Sequence, residues 1–175
     1  ALNAGSNPST DWLAFGDATN VQLELNNKVK GSGAIRFDLV GSGTTAGIVN
    51  NGIDSFALAT EIINGGAAFA WIYVNSITNL TNFIFRLGSD SSNYYSITET
   101  TDASGAAFVN GWILMRFDFA DRTETGTVAR AAIDYCALYM TKTSGKDDDG
   151  YIVDDIQLHS GEVYEILYYS KFPWQ

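Results

Sequence analysis

Seven side chains in the middle of the chain could together hold a polyhydroxylated ligand: Trp71, Tyr73, Arg86, Tyr94, Trp112, Arg116 and Asp118. Aromatic rings stack on the C–H faces of sugars, and charged or amide groups beside them bond the hydroxyls. The competing reading for any one aromatic is ordinary core packing. Arg86 and Arg116 are two of only five arginines, and both lie in apolar segments. Either they pair with Asp118 or Glu99 across a sheet, or they meet a ligand. A second chemistry centres on Asp154, within Tyr151-Ile152-Val153-Asp154-Asp155-Ile156-Gln157-Leu158. A period of two puts Asp154 with Ile152, Ile156 and Leu158 on an apolar face. A carboxylate there needs either an oxygen-coordinated cation such as calcium, or backbone N–H and hydroxyl donors.

Other chemistries find little support. The single histidine, His159, follows an extended segment, and the single cysteine, Cys136, lies in an apolar run that suits a buried thiol. No nucleophile elbow, zinc-protease helix or phosphate loop occurs, and none of the twenty acidic residues stands out as a catalytic pair. The expectation is that the chain is not an enzyme. The acidic run Asp147-Asp148-Asp149 lacks the spaced ligands of a calcium loop and reads as a solvated turn. Gly88 to Tyr95 reads as a hairpin loop, or as a polar rim to a site.

Charge narrows the partners. The net charge is −10, with ten Lys and Arg scattered along the chain. A nucleic-acid partner requires a basic surface, and an anionic membrane attracts basic segments, so both are excluded as expectations. No apolar run is long enough for membrane insertion. The acidic balance suits an extracellular module or a virion surface.

The elements that must position these residues are strands. Helical periodicity is nearly absent, and residues 54–63 offer at most one short turn or helix. Apolar runs between Gly, Asn, Asp and Ser clusters predict about ten short strands: 21–25, 34–39, 46–49, 68–74, 82–87, 94–99, 112–119, 133–140, 151–158 and 164–169. Turn signals every 8–12 residues or so are the pattern of an all-β, two-sheet antiparallel sandwich. Alternation gives faces. Ile113, Met115, Phe117 and Phe119 belong to the core, while Trp112, Leu114, Arg116 and Asp118 point away. Phe83, Phe85 and Leu87 share a core face, and Arg86 points away. The length fits one domain over residues 1–175, with 160–175 as a C-terminal extension or extra edge strand.

Three ordered segments carry a family resemblance: Val29-Lys30-Gly31-Ser32-Gly33-Ala34-Ile35-Arg36-Phe37, Asn110-Gly111-Trp112-Ile113-Leu114-Met115-Arg116-Phe117-Asp118, and Gly150-Tyr151-Ile152-Val153-Asp154-Asp155-Ile156-Gln157-Leu158. Together they resemble the galactose-binding-like jelly rolls, a superfamily that includes many non-catalytic carbohydrate-binding modules. The resemblance implies a carbohydrate partner, either polysaccharide or glycan. It also implies a structural calcium held by Asp154 and the backbone at Lys30 to Ser32, with Asp17 or Asp38 adding a carboxylate. The chain is also similar to modules of tailed-bacteriophage structural proteins. That likeness implies an alternative role, a virion structural or decoration protein that packs against other subunits, and the C-terminal aromatics Tyr168, Tyr169, Phe172 and Trp174 favour it, since an aromatic tail leaving a finished sandwich invites a partner.

Overall fold

The computed structural model describes residues 11–40, 42–143 and 148–160. Eleven strands dominate: β1 Leu13–Gly16, β2 Ala18–Glu24, β3 Ala34–Leu39, β4 Thr45–Asn50, β5 Ala67–Val74, β6 Leu80–Asp90, β7 Asn93–Glu99, β8 Gly111–Asp118, β9 Thr123–Thr125, β10 Tyr135–Lys142 and β11 Asp148–His159. A short helix, α1 (Thr60–Gly65), precedes β5, and a single 3₁₀ turn, Phe119–Asp121, follows β8. Every strand pairing is antiparallel. Among the described residues, no helix is long and apolar enough to cross a membrane.

The strands form two sheets. One has six strands in the order β1-β4-β10-β6-β7-β9, and the other has five in the order β2-β3-β11-β5-β8. Their facing sides make a single core. The six-stranded sheet contributes Ile48, Phe83, Phe85, Leu87, Ile97 and Leu138, and the five-stranded sheet contributes Ile35, Phe37, Ile72, Met115, Phe117 and Val153. Phe85 stacks on Phe117 across the gap, ring centroids 5.5 Å apart. Alternation is strictest in β8, where Ile113, Met115 and Phe117 are buried and their neighbours are half-buried. Such a layered core is what orders the outer faces, because every inward side chain fixes the direction of the next one.

Three bulges reshape the five-stranded sheet. In each, one strand spends an extra residue against its partner, near Asn20 in β2, at residues 149–150 and at Asp155 in β11. Asn20, Gly150 and Asp155 all take positive φ, a conformation that Asn, Asp and Gly tolerate best. The Asp155 bulge corrects the expected facing of β11. Tyr151, Val153 and Ile156 enter the core. Ile152 and Asp154 pair in register with Tyr73 and Trp71 on the outer side. Asp154 is therefore not on the core face with Ile156 and Leu158, because the extra residue shifts the alternation between them.

The sequence-based strands at 34–39 and 68–74 lie within one residue of the observed ones. β1 and the three-residue β9 are additional. The expected strand at 164–169, the aromatics Tyr168, Tyr169, Phe172 and Trp174, and the start of the acidic turn lie outside the described residues. Cys136 is fully buried in β10, and burial pushes its thiol pKa up, as suits an inert packing group.

Candidate functional site

The outer face of the five-stranded sheet is built from the residues that alternate with the core. Register sets them in rows. Ile152, Tyr73 and Trp112 form one; Asp154, Trp71 and Leu114 the next; Gln157, Phe69 and Arg116 a third; and His159, Ala67 and Asp118 the last. Phe69, Trp71 and Tyr73 thus run along β5 as an aromatic ladder with a spacing of about 7 Å. Tyr73 meets Trp112 edge to face at 5.6 Å. All four rings are half-buried, with the strands beneath them.

Polar groups flank the ladder on both sides. On β8, Arg116 bridges to Asp118 at 2.6 Å along the same strand. On β11, Gln157 donates from Nε2 to Asp155 Oδ1 at 2.6 Å, and His159 Nε2 lies 2.9 Å from Gln157 Oε1. Lys30 Nζ lies 3.5 Å from Asp155. The result is a polar chain Lys30, Asp155, Gln157, His159 running beside the rings. Burial holds the His159 imidazole below its ordinary pKa, so it is neutral near pH 7. Glu99, near Asp118, is pushed up by burial and by the charges of Asp121 and Asp118.

The loop between β2 and β3 closes one end of this face. Asp154 is 2 % exposed, and its Oδ2 accepts the N–H groups of Val29 at 2.7 Å and Lys30 at 2.8 Å. Further over, Trp112 Nε1 donates to Asn27 Oδ1 at 2.9 Å. The loop therefore reaches from the β2–β3 edge across β11 and β5 to β8, held at Asp154 and Trp112 as well as through Lys30 and Asp155. Asp38, toward the far end of β3 from this loop, accepts from Gly150 N at 2.7 Å and from Asn20 Nδ2 at 2.9 Å, so that one carboxylate ties two bulges together.

No protein-family model matches the chain, and no curated protein sequence matches it. Solved structures do match in shape. A carbohydrate-binding module described as belonging to the β-sandwich superfamily superposes with a TM-score of 0.60 at 14 % identity, over 91 % of this chain and 61 % of its own. The family 30 carbohydrate-binding module of a Clostridium thermocellum cellulosomal cellulase gives 0.59 at 8 % identity, over 86 % and 93 %. The protein SGBP-B, from a xyloglucan utilisation locus of Bacteroides uniformis, gives 0.54 at 13 % identity, over 88 % and 48 %. The chain thus spans under two thirds of the length of the first of these structures. The chain shares the β-sandwich fold of these structures. At these identities the likeness speaks for architecture, and the site must be argued from its own residues.

Five of the seven expected ligand residues come together: Trp71, Tyr73, Trp112, Arg116 and Asp118 share the face described above. Arg86 and Tyr94 do not join them. They lie on β6 and β7 in the other sheet, pointing outward on the opposite side of the sandwich. The arginines also differ. Arg116 pairs with Asp118 within its own strand, whereas Arg86 lies over the Tyr94 ring at 4.3 Å. Phe69, Gln157, Asp155 and Asn27 belong to the site and were not anticipated. The alternation of Phe69 with Trp71 and Tyr73 was a usable signal; the bulge hid Gln157, and no local pattern marks Asn27.

The expected calcium ligands each have polar partners within the chain. Asp154 Oδ2 faces N–H donors, which repel a cation. Asp17 Oδ2 is occupied by the N–H groups of Thr44 and Thr45 at 3.0 and 3.3 Å. The Ser32 carbonyl accepts from Lys28 Nζ at 3.4 Å, and Lys30 Nζ turns to Asp155. Among the described residues, no group of three or more His, Cys, Asp and Glu side chains is placed to hold a metal. Two backbone amides thus meet the charge on Asp154 Oδ2 without a cation. The thermal midpoint is accordingly expected to be the same in calcium and in chelator. A chelator-dependent fall, measured by calorimetry, would put a cation back into the site.

Proposed function

We propose that the protein is a non-catalytic carbohydrate-binding module that takes a neutral polysaccharide chain along the outer face of its five-stranded sheet. The observation that carries this reading is the ladder Phe69, Trp71 and Tyr73 beside Trp112, with hydrogen-bonding groups on both flanks. Sugar rings lie on such aromatic surfaces through their C–H faces, and fixed polar groups choose among hydroxyl patterns. Trp71, Tyr73 and Trp112 supply stacking; Arg116, Asp118 and Gln157 supply donors and acceptors.

The ligand is uncharged in this reading because the face is internally neutralised. Arg116 is matched by Asp118, and Lys30 by Asp155. A charged sugar would have to displace one of those partners. The setting that suits such a module is extracellular, where polysaccharides are met. A panel of neutral glycans in an array, followed by calorimetric titration of the best binder, tests the proposal. Saturable binding to at least one neutral glycan is expected. Indifference to all of them would shift the weight to the virion-subunit role.

A further inference from the structure

The opposite face of the sandwich carries a second, differently charged assembly. On the outer side of the six-stranded sheet, Phe15 stacks on Tyr139 at 4.3 Å and 21°, and Tyr94 leans on Tyr135 at 6.0 Å. Arg86 stands between the two pairs. Its guanidinium carbon lies 4.3 Å from the Tyr94 centroid, 5.0 Å from Tyr139 and 5.5 Å from Phe15. The bed is built for these rings. Gly47 and Gly88 are the cross-strand partners of Tyr139 and Tyr94. A Cβ on either glycine would come within 2.5 Å and 2.7 Å of the tyrosine Cβ atoms. Tyr135 and Tyr139 form the buried floor, with Phe15, Arg86 and Tyr94 half-exposed above it.

The charge pattern separates this face from the first. Arg36, Arg116 and Lys30, on the five-stranded side, each have an aspartate within 4 Å. Among the described residues, Arg86 has no carboxylate within 4 Å, and its guanidinium is held by the rings and by the side chains of Tyr135 and Tyr139 beneath it. Aromatic faces hold a guanidinium in place and leave its charge uncompensated. A planar guanidinium so held is a bidentate receptor for a carboxylate. Carboxylate and sugar ring occur together in uronic acids.

We propose that Arg86, Tyr94 and Phe15 form a second glycan site, selective for a uronic acid residue. The carboxylate pairs with the Arg86 guanidinium while the pyranose ring lies on Tyr94 or Phe15. The carbohydrate class rests on the reading given under Proposed function; the charge selectivity rests on Arg86 alone. The protein would then hold neutral and acidic glycan chains on opposite faces.

The probe is a galacturonate trisaccharide, titrated into the full chain by calorimetry and by amide NMR, beside the best neutral glycan. Wild-type protein is expected to bind the uronate, with amides of Tyr94, Ser96 and Ala137 shifting and affinity falling as salt rises. Arg86→Gln is expected to weaken uronate binding about tenfold or more, as loss of a charge-assisted pair does, and to leave neutral binding unchanged. Trp71→Ala is expected to do the reverse. The wild-type shift map keeps the test valid even if Arg86→Gln folds poorly. No uronate binding, or uronate shifts confined to the Trp71 face, overturns the second site. Loss of neutral binding alone overturns the first reading and leaves the second standing.

Discussion

Trp71→Ala should weaken binding of a neutral glycan by about thirty-fold, the consequence of losing roughly 2 kcal/mol from an aromatic anchor. Trp71 occupies the middle of the β5 ladder, between Phe69 and Tyr73, with Leu114 and Asp154 as its register partners on either side. A ligand chain crossing this face passes over it in any orientation. Removing the indole takes away one of the two indole surfaces on the sheet without touching the inward side of β5, where Ala70 and Ile72 pack. The fold should therefore survive and the affinity should not. Trp112→Ala should have a comparable effect, with an added part. Its Nε1 anchors Asn27, so the β2–β3 loop also loses its fastening to β8. Trp112→Phe keeps a ring but not the donor, and should fall between wild type and Trp112→Ala. Calorimetric titration of the three variants checks the order.

Asp154→Ala should be the most destabilising polar substitution on the outer faces. The carboxylate is buried and accepts two short backbone N–H bonds across a separation of 124 and 125 residues. Charge-assisted bonds of this kind are worth about 1.5–3 kcal/mol each, and the abandoned amides would be left without partners. A loss of about 3 kcal/mol follows, which for a protein of this size is a fall of about 6–12 °C in the thermal midpoint. Asp154→Asn keeps the acceptor oxygen but loses the charge, so it should lie closer to wild type. Both variants should also weaken glycan binding, because the loop bearing Asn27 and Lys30 frames the site. Differential scanning calorimetry reads the midpoint directly. An alanine variant as stable as wild type would mean that the loop is held by something else.

How much of this was legible beforehand depends on the range of the interaction. The two-layer architecture was legible, because β8 alternates Ile113, Met115 and Phe117 with Trp112, Leu114 and Arg116 without interruption. The same rule failed in β11. One residue, Asp155 at positive φ, reverses the phase between Asp154 and Ile156, and nothing in an Asp-Asp pair announces a bulge. Alternation also reports only which side of its own sheet a residue occupies. It was silent on which sheet holds β6 and which holds β8. Arg86 and Arg116 look equivalent along the chain, yet strand pairing sends them to opposite faces. β9 escaped notice because Thr123, Glu124 and Thr125 are all exposed and leave no apolar mark.

The central claim is that the outer face of the five-stranded sheet is where a neutral glycan binds, and the indole N–H signals of the tryptophans test it most directly. Two tryptophans lie on that face and Trp12 is buried in the core, 1 % exposed. On titration with the best neutral glycan, the Trp71 and Trp112 indole resonances should shift saturably while that of Trp12 stays in place. Saturable binding that leaves both of those indoles unmoved would contradict the account.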